Sequence, residues 1–176
     1  MKTTRLAGTP TDARLQALRR YKILDTSREH GFDSVVEEAA RECGTPIALV
    51  SLVDSNRQWF KAELGMGVRE TDMTRSICAK AIEHEGVFVI PDTMQDPRVD
   101  TNPLVIGDPN IRFYAGAPLL TPDGHALGMV CVLDHQPRSH GITPAEAAVL
   151  TRLAAAVMSQ LEARLARSSA QTAQSY

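Results

Sequence analysis

Residues 112–134 read RFYAGAPLLTPDGHALGMVCVLD, and this stretch determines the kind of fold that the chain can adopt. Two runs of β-forming residues, 112–120 and 126–133, flank the segment TPDGH at 121–125. Proline presets the φ angle of a turn and glycine accepts a positive φ, so the pattern predicts an antiparallel hairpin. Both runs are apolar on both faces, which favours strands in the middle of a sheet that is covered on two sides.

Small residues interrupt both runs. Ala115, Gly116 and Ala117 lie on the first run and Gly128 lies on the second, and together they leave room for a close neighbour. Two explanations remain open. A helix packs tightly over the sheet, which is the usual reason for an interior glycine, or a ligand lies on the opposite face.

Length and composition favour one ordinary globular domain. The chain has 176 residues, of which 43% are hydrophobic and 23% charged, and a net charge of −2 gives no electrostatic reason to bind nucleic acid or a membrane. No apolar run approaches the roughly 18 residues of a membrane span, and the first ten residues lack the apolar core of a signal peptide. Three widely spaced cysteines without a CxxC pair predict a reducing cytoplasm and no structural metal site.

The N-terminal part predicts two helices. Residues 1–10 are expected to be disordered, and a first helix runs from residue 11 or 12 to about 24 with Leu18 on its narrow apolar stripe. The second follows the helical spacing from Phe32 to Cys43 and stops at Gly44, with Thr26 or Ser27 as the expected N-cap.

A second hairpin and a long irregular segment follow. Residues 47–53 and 57–64 predict paired strands, and Trp59 within them is either core or the wall of a pocket. Residues 65–111 contain only a short predicted helix at 76–84 and a short predicted strand at 87–90. A stretch of this length with so little regular structure is typical of a binding loop or lid.

The chain ends in a long predicted helix. Residues 143–146 read TPAE, a capping box with proline at the first helical position, and the helix is expected to reach about residue 167. Its apolar surface exceeds what one sheet contact needs, which predicts a partner helix from a second subunit. The expected dimer-interface residues are Leu18, Val149, Ala156, Val157 and Leu161. Residues 168–176 are predicted to be a polar, disordered tail.

The order of these elements is not a βαβ alternation. It predicts an α+β fold, with an antiparallel sheet, the terminal helices on one face, and the irregular lid over a pocket on the other.

From about residue 14 to 164 the chain resembles the GAF domain of bacterial sensor histidine kinases and diguanylate cyclases. The matching blocks are LQALRRYKILDT at 15–26, PIALVSLVDSNRQWFKAELG at 46–65 and FYAGAPLLTPDGHALGMVCVLD at 113–134, followed by Pro137-Arg138. The resemblance implies a single domain over residues 11–167, a central sheet of about six strands, a small-molecule pocket roofed by residues 66–112, and dimers formed through the terminal helices.

The resemblance does not name a ligand. The asparagine-lysine-phenylalanine-aspartate-glutamate signature of cyclic-nucleotide binders is absent, and Cys78 is followed by Ala79-Lys80 rather than by the histidine of bilin attachment. Haem would need an axial histidine, for which His84 is the one candidate in the lid. No cofactor and no metal are therefore expected.

Free methionine sulfoxide reductases resemble GAF domains, so each cysteine of this chain is a candidate nucleophile. Cys43 and Cys131 fall on predicted buried positions, where cysteine behaves as a small hydrophobe. Cys78 falls near a predicted helix start with Arg75 close by, which favours the thiolate. The lid supplies no second cysteine for reductase chemistry.

Polar residues of the lid form the second candidate group. Asp92, Asp96, Arg98 and Asn102 either cap turns or orient a small anionic or zwitterionic ligand. If a ligand binds, the sequence predicts contacts with Trp59, Cys78, Asp92, Arg98, Asn102, Tyr114 and Gly116. The function expected is a cytoplasmic, non-enzymatic sensory or regulatory domain that forms a homodimer. The alternatives are a redox enzyme based on Cys78 and a dimerisation module without a ligand.

Overall fold

A computed structural model describes residues 10–174 of the chain. Its centre is one antiparallel sheet of six strands in the order β3-β2-β1-β6-β5-β4. The strands are β1 (Ile47–Val53), β2 (Arg57–Leu64), β3 (Glu70–Asp72), β4 (Phe88–Ile90), β5 (Phe113–Leu120) and β6 (Ala126–Asp134). The predicted α+β class and the six-stranded antiparallel sheet are confirmed.

The hairpin of β5 and β6 lies inside the sheet, as its apolar faces predicted. Thr121 N donates to His125 O at 2.9 Å to close the turn, and Gly124 adopts a φ of +89°. β6 pairs with β1 on its other side, so both of its edges are hydrogen-bonded.

Three helices cover one face of the sheet. They are α1 (Pro10–Arg20), α2 (His30–Cys43) and α5 (Pro144–Gln174). Their apolar side chains form one buried core with those of the sheet, which includes Leu18, Val36, Leu153 and Val157. We call the face of the sheet that these three helices cover the helical face.

Two helix boundaries differ from the prediction. α1 ends at Arg20 rather than near residue 24, because Lys22 takes a left-handed conformation at φ +50°. Glu29, not Thr26 or Ser27, is the N-cap residue of α2 and makes no side-chain capping bond. The Thr26 hydroxyl instead donates to the Ile23 carbonyl oxygen.

The capping box of α5 is present, since Thr143 N donates to Glu146 Oε1 and Glu146 N to Thr143 Oγ1, both at 3.1 Å. The helix continues to Gln174, so a disordered tail from residue 168 was a wrong prediction for residues 168–174. No glycine or proline interrupts that segment, and nothing therefore stops the helix. Most of the expected disordered N-terminus, residues 1–9, and residues 175–176 lie outside the described residues.

The segment 66–112 covers the opposite face, which we call the lid face. It contains α3 (Cys78–Ala81), α4 (Pro103–Ile106) and two 3-10 turns (Met73–Arg75 and Thr93–Gln95). It also supplies both edge strands, because β3 pairs with β2 and β4 pairs with β5. Ile77, Ala81 and Ile111 are at most 3% exposed and pack on the sheet.

Candidate functional site

The space between lid and sheet is filled by the chain's own side chains. Tyr114 is fully buried there, and its ring contacts that of Phe88 edge to face at 5.9 Å between centroids. A Cβ atom at Gly116 would lie 3.0 Å from Cys131 Cβ and 3.1 Å from Tyr114 Oη. Gly116 therefore makes room for two neighbouring side chains, rather than for the ligand contact that the sequence predicted there.

Trp59 lies on the other face of the sheet. It is 4% exposed and belongs to the core under the helices. The Arg69 guanidinium lies 5.1 Å from the centroid of the Trp59 ring. Ala115 shares that core. Neither residue can line a pocket beneath the lid, so the predicted role of Trp59 as a wall of that pocket is corrected.

The polar lid residues make local contacts. Asp92 Oδ1 accepts from Met94 N at 3.0 Å, and Asn102 Oδ1 accepts from Leu104 N at 2.9 Å and caps α4. These bonds match the alternative explanation of turn caps. Both residues are held by the backbone that they cap.

Arg98 has partners of its own. It forms a two-pronged ion pair with Asp96, and its guanidinium lies 4.7 Å from the Phe88 ring centroid. The hydrogen bond from Arg98 lowers the pKa of the Asp96 carboxyl, against the effect of its partial burial. The guanidinium is thus engaged with a carboxylate of the lid itself.

A cleft of about 440 Å³ lies at the edge of the lid beside β3. Met66, Val68 and Leu104 give it apolar walls, and the ion-paired Asp72 and Arg75 lie at its rim. Thr71 is one of its lining residues, and the hydroxyl oxygen of Thr71 is buried without a hydrogen-bond partner. None of the seven predicted ligand residues lines this cleft. Sequence reasoning missed it because a three-residue strand carries no periodic signal.

A second and wider groove lies on the helical face, between α5 and the β5–β6 turn. Its volume is about 640 Å³, and it is open to solvent. Ala154, Ala155 and Met158 line its helical side, and Pro118 and Leu120 line its sheet side. Leu120 is 51% exposed.

The predicted dimer-interface residues do not lie in this groove. Leu18, Val157 and Leu161 are at most 1% exposed and pack inside the protomer, so they cannot contact a partner, and this part of the prediction is wrong. Val149 packs partly against the same core, and Ala156 borders a shallow cleft between α5 and α2.

Two cysteines meet beneath the lid. Cys78 Sγ lies 3.8 Å from Cys131 Sγ and 3.1 Å from Tyr114 Oη, and both cysteines are at most 1% exposed. Ser51, fully buried beside Cys78, has a hydroxyl without a well-formed hydrogen bond. Arg75, expected to favour the Cys78 thiolate, instead pairs with Asp72 at the surface.

The thiols of this cluster differ in acidity. Burial opposes ionisation of Cys78, but the neighbouring Cys131, Tyr114 and Ser51 favour the thiolate strongly enough to lower the pKa of Cys78. Burial first, and the neighbouring Cys78 second, raise the pKa of Cys131 well above its ordinary value. Burial also raises the pKa of Cys43, which lies apart on α2, to about 11.

The comparisons with known proteins fit this architecture. The family model of the GAF domain matches residues 27–161. This chain belongs to the GAF domain family. Among curated proteins, a cyclic di-GMP phosphodiesterase of Pseudomonas aeruginosa is 42% identical over 139 residues. That match covers 79% of this GAF chain but 24% of the relative, so the chain spans about a quarter of the relative's length.

Solved structures show the same fold. The GAF domain of an Acinetobacter phosphoenolpyruvate-protein phosphotransferase is 17% identical with a TM-score of 0.61, and the match covers 93% of this chain and 97% of that one. A free methionine-R-sulfoxide reductase of Neisseria meningitidis is 16% identical with a TM-score of 0.60, over 90% and 93% of the two chains.

Two cations, one of them buried, join separate elements of this GAF fold, and neither role was predicted. Lys61, whose side chain is fully buried on β2, donates to Thr26 Oγ1 and pairs with Glu29, which also pairs with Arg164 of α5. Arg138 donates to the carbonyl oxygens of Cys43 and Gly44 at 2.7 Å each, at the end of α2.

Within residues 10–174, no three histidine, cysteine, aspartate or glutamate side chains come together as a metal-binding group. None of the helices in that range is both long and apolar enough to cross a membrane.

Proposed function

We propose that this GAF domain is a non-enzymatic regulatory module of a cytoplasmic bacterial signalling protein, and that two copies associate through α5. The phosphodiesterase relative supports a signalling role, because cyclic di-GMP phosphodiesterases are signalling proteins. The observation that carries the proposal is the open apolar groove along α5.

The groove suits a second helix. α5 has 31 residues, which is about 46 Å of helix at 1.5 Å per residue. One side of it is buried in the protomer through Leu150, Leu153, Val157 and Leu161. The adjoining side carries Ala154, Ala155 and Ser159, whose small side chains permit close helix approach. Association would cover the half-exposed Leu120.

Sedimentation velocity with Ala155→Glu tests this proposal. Ala155 is exposed in the groove, so the charge should disrupt association without disturbing the core. The wild type should be a dimer at tens of micromolar and the variant a folded monomer. Met94→Glu is the matched control, since Met94 is 47% exposed on the lid face and its variant should remain a dimer. A wild type that stays monomeric at high micromolar concentration contradicts the proposal.

A second candidate function is small-molecule sensing at the cleft beside β3. The orphan Thr71 hydroxyl favours it, since a buried hydroxyl without a partner is costly unless a ligand or water satisfies it. Native mass spectrometry of freshly purified protein should then show a co-purifying compound of small mass. Thr71→Val should weaken the binding of that compound. If the protein shows only the mass of the chain itself, and no compound of a library binds to it, this candidate function is eliminated.

The redox-enzyme alternative has a direct assay. The likeness to the Neisseria reductase concerns the fold, and Cys78 is buried beneath the lid. We expect no reduction of free methionine sulfoxide in a dithiol-coupled assay. Turnover that disappears in Cys78→Ser would overturn the non-enzymatic proposal.

A further inference from the structure

The pair of cysteines beneath the lid joins two separate layers of the fold. Cys78 begins α3 in the lid, whereas Cys131 lies in β6 with hydrogen-bonded strands on both sides. Their sulfurs are 3.8 Å apart, and a disulfide requires about 2.0 Å. Most of the approach must come from the lid, because β6 is held at both edges while α3 is a single turn.

The surroundings of the pair favour reaction over inert packing. Tyr114 Oη is 3.1 Å from Cys78 Sγ, so its hydroxyl can donate to a thiolate there. Burial raises the pKa of Tyr114 well above its ordinary value, which keeps that proton on the oxygen. The Ser51 hydroxyl beside Cys78 has no other partner and can serve the same thiolate. A pair of cysteines packed only as hydrophobes needs no such donors.

We propose that Cys78 and Cys131 form a hydroperoxide-responsive dithiol, which closes to a disulfide that ties the lid to the central strand of the sheet. This site is independent of the groove on α5, because it lies on the opposite face of the sheet.

The chemistry proceeds in two balanced steps. The Cys78 thiolate attacks one oxygen of hydrogen peroxide, the O–O bond breaks, and Cys78 becomes a sulfenic acid. The released hydroxide takes up the proton that the Cys78 thiol lost on ionisation, and water forms. Cys131 sulfur then attacks the Cys78 sulfur, the S–O bond breaks, and a second water leaves with the Cys131 proton. The two thiols lose two electrons, and the peroxide gains them.

Burial sets the rate of the first step. Both sulfurs are at most 1% exposed, so peroxide reaches them only when the lid opens locally. We therefore expect slow oxidation that accelerates in urea concentrations below the unfolding transition.

The experiment exposes the full chain to hydrogen peroxide, alkylates the remaining thiols and maps the products by mass spectrometry. Before alkylation, the mass of the intact chain should fall by about 2 Da for loss of two hydrogens. After alkylation and digestion, a peptide containing Cys78 should be linked to one containing Cys131. Cys43 should be the alkylated thiol. The product should run as a monomer on a non-reducing denaturing gel. Its melting temperature should rise by several degrees and return with a reductant, because the bond constrains the unfolded chain.

Variants separate the steps. Cys131→Ser should stop at the sulfenic acid, which dimedone traps on Cys78, and Cys43→Ser should close as the wild type does. If Cys131→Ser does not fold, the linkage in wild type and in Cys43→Ser still decides the question. The proposal is overturned if Cys43 oxidises before the pair, or if no Cys78–Cys131 link forms at a peroxide concentration that oxidises the exposed Met94. A lower melting temperature of the linked protein also overturns it.

Discussion

Replacing Gly128 with alanine should destabilise this domain far more than one added methyl group suggests. A Cβ atom there would lie 1.8 Å from the Ser51 carbonyl oxygen and 2.9 Å from Leu52 Cα, both in the backbone of β1. Gly128 had been expected to admit a helix or a ligand. It instead admits the neighbouring strand, at the point where the β1–β2 register shifts between Val50 and Ser51.

The magnitude follows from what must move. An ordinary contact needs at least 3.4 Å, so β1 and β6 would have to separate locally by about 1.6 Å. β1 cannot move alone, because it is also paired with β2. Overpacking of this kind costs about 1–3 kcal/mol, and two weakened ladder hydrogen bonds add about 0.5–1.5 kcal/mol each. The expected loss is about 2–6 kcal/mol, from a total that is about 5–15 kcal/mol for a typical domain.

Urea unfolding followed by the fluorescence of the single tryptophan, the buried Trp59, measures this loss. Gly31→Ala in α2 is the matched control. Its Cβ atom would lie 2.2 Å from Gln160 Oε1, but that atom is the end of a flexible side chain and can rotate away. The control should therefore stay within about 1 kcal/mol of wild type. A Gly128→Ala variant no less stable than Gly31→Ala would refute the argument.

Three further predictions each concern a single side chain. Leu161→Asp should destabilise the protomer by more than about 4 kcal/mol, since the residue is 1% exposed; a folded Leu161→Asp monomer by circular dichroism would contradict this. Arg138→Ala should lower the free energy of unfolding by about 2–4 kcal/mol, and Arg138→Lys should recover only part of it in urea titrations, because lysine cannot reproduce the guanidinium fork. Burial opposes ionisation of Glu63, but the Gly67 and Met66 amides and Arg28 outweigh it and lower its pKa below the ordinary 4.5. The ionised Glu63 carboxylate stabilises the fold above that value, and this stabilisation is lost as the pH falls through the folded pKa. At pH values below about 4.5 the urea concentration at the unfolding midpoint should therefore decrease. In Glu63→Gln this decrease should be smaller.

Local patterns in the sequence predicted much of the sheet. The bounds of β1 and β2 were predicted correctly, and β5 and β6 within one residue, because apolar runs between strong turn signals are short-range features. β3 and β4 have three residues each, and their pairing depends on where the lid folds back. Only β4 was anticipated.

The site was harder to predict because it depends on which face each residue occupies. Trp59 and Tyr114 are both aromatic strand residues, yet they lie on opposite faces, and register shifts in β1–β2 and β5–β6 break the simple alternation. The contact between Cys78 and Cys131 joins residues 53 positions apart and has no signature in either neighbourhood. In α5, the spacing showed that Val157 and Leu161 are apolar but not that their neighbour is the protomer's own core.

The length of α5 makes it a lever. Leu161 is its last fully buried residue, and Glu29 holds Arg164 one turn later. From Leu161 to Gln174 the helix extends about 20 Å at 1.5 Å per residue, so a tilt of about 10° at this fulcrum displaces its end by about 3.5 Å. Glu29 also binds Lys61 of β2, so the Glu29 carboxylate connects the sheet directly to α5 at Arg164, just beyond this fulcrum. A rearrangement too small to disturb the packing of the core thus becomes a displacement of several ångströms at Gln174.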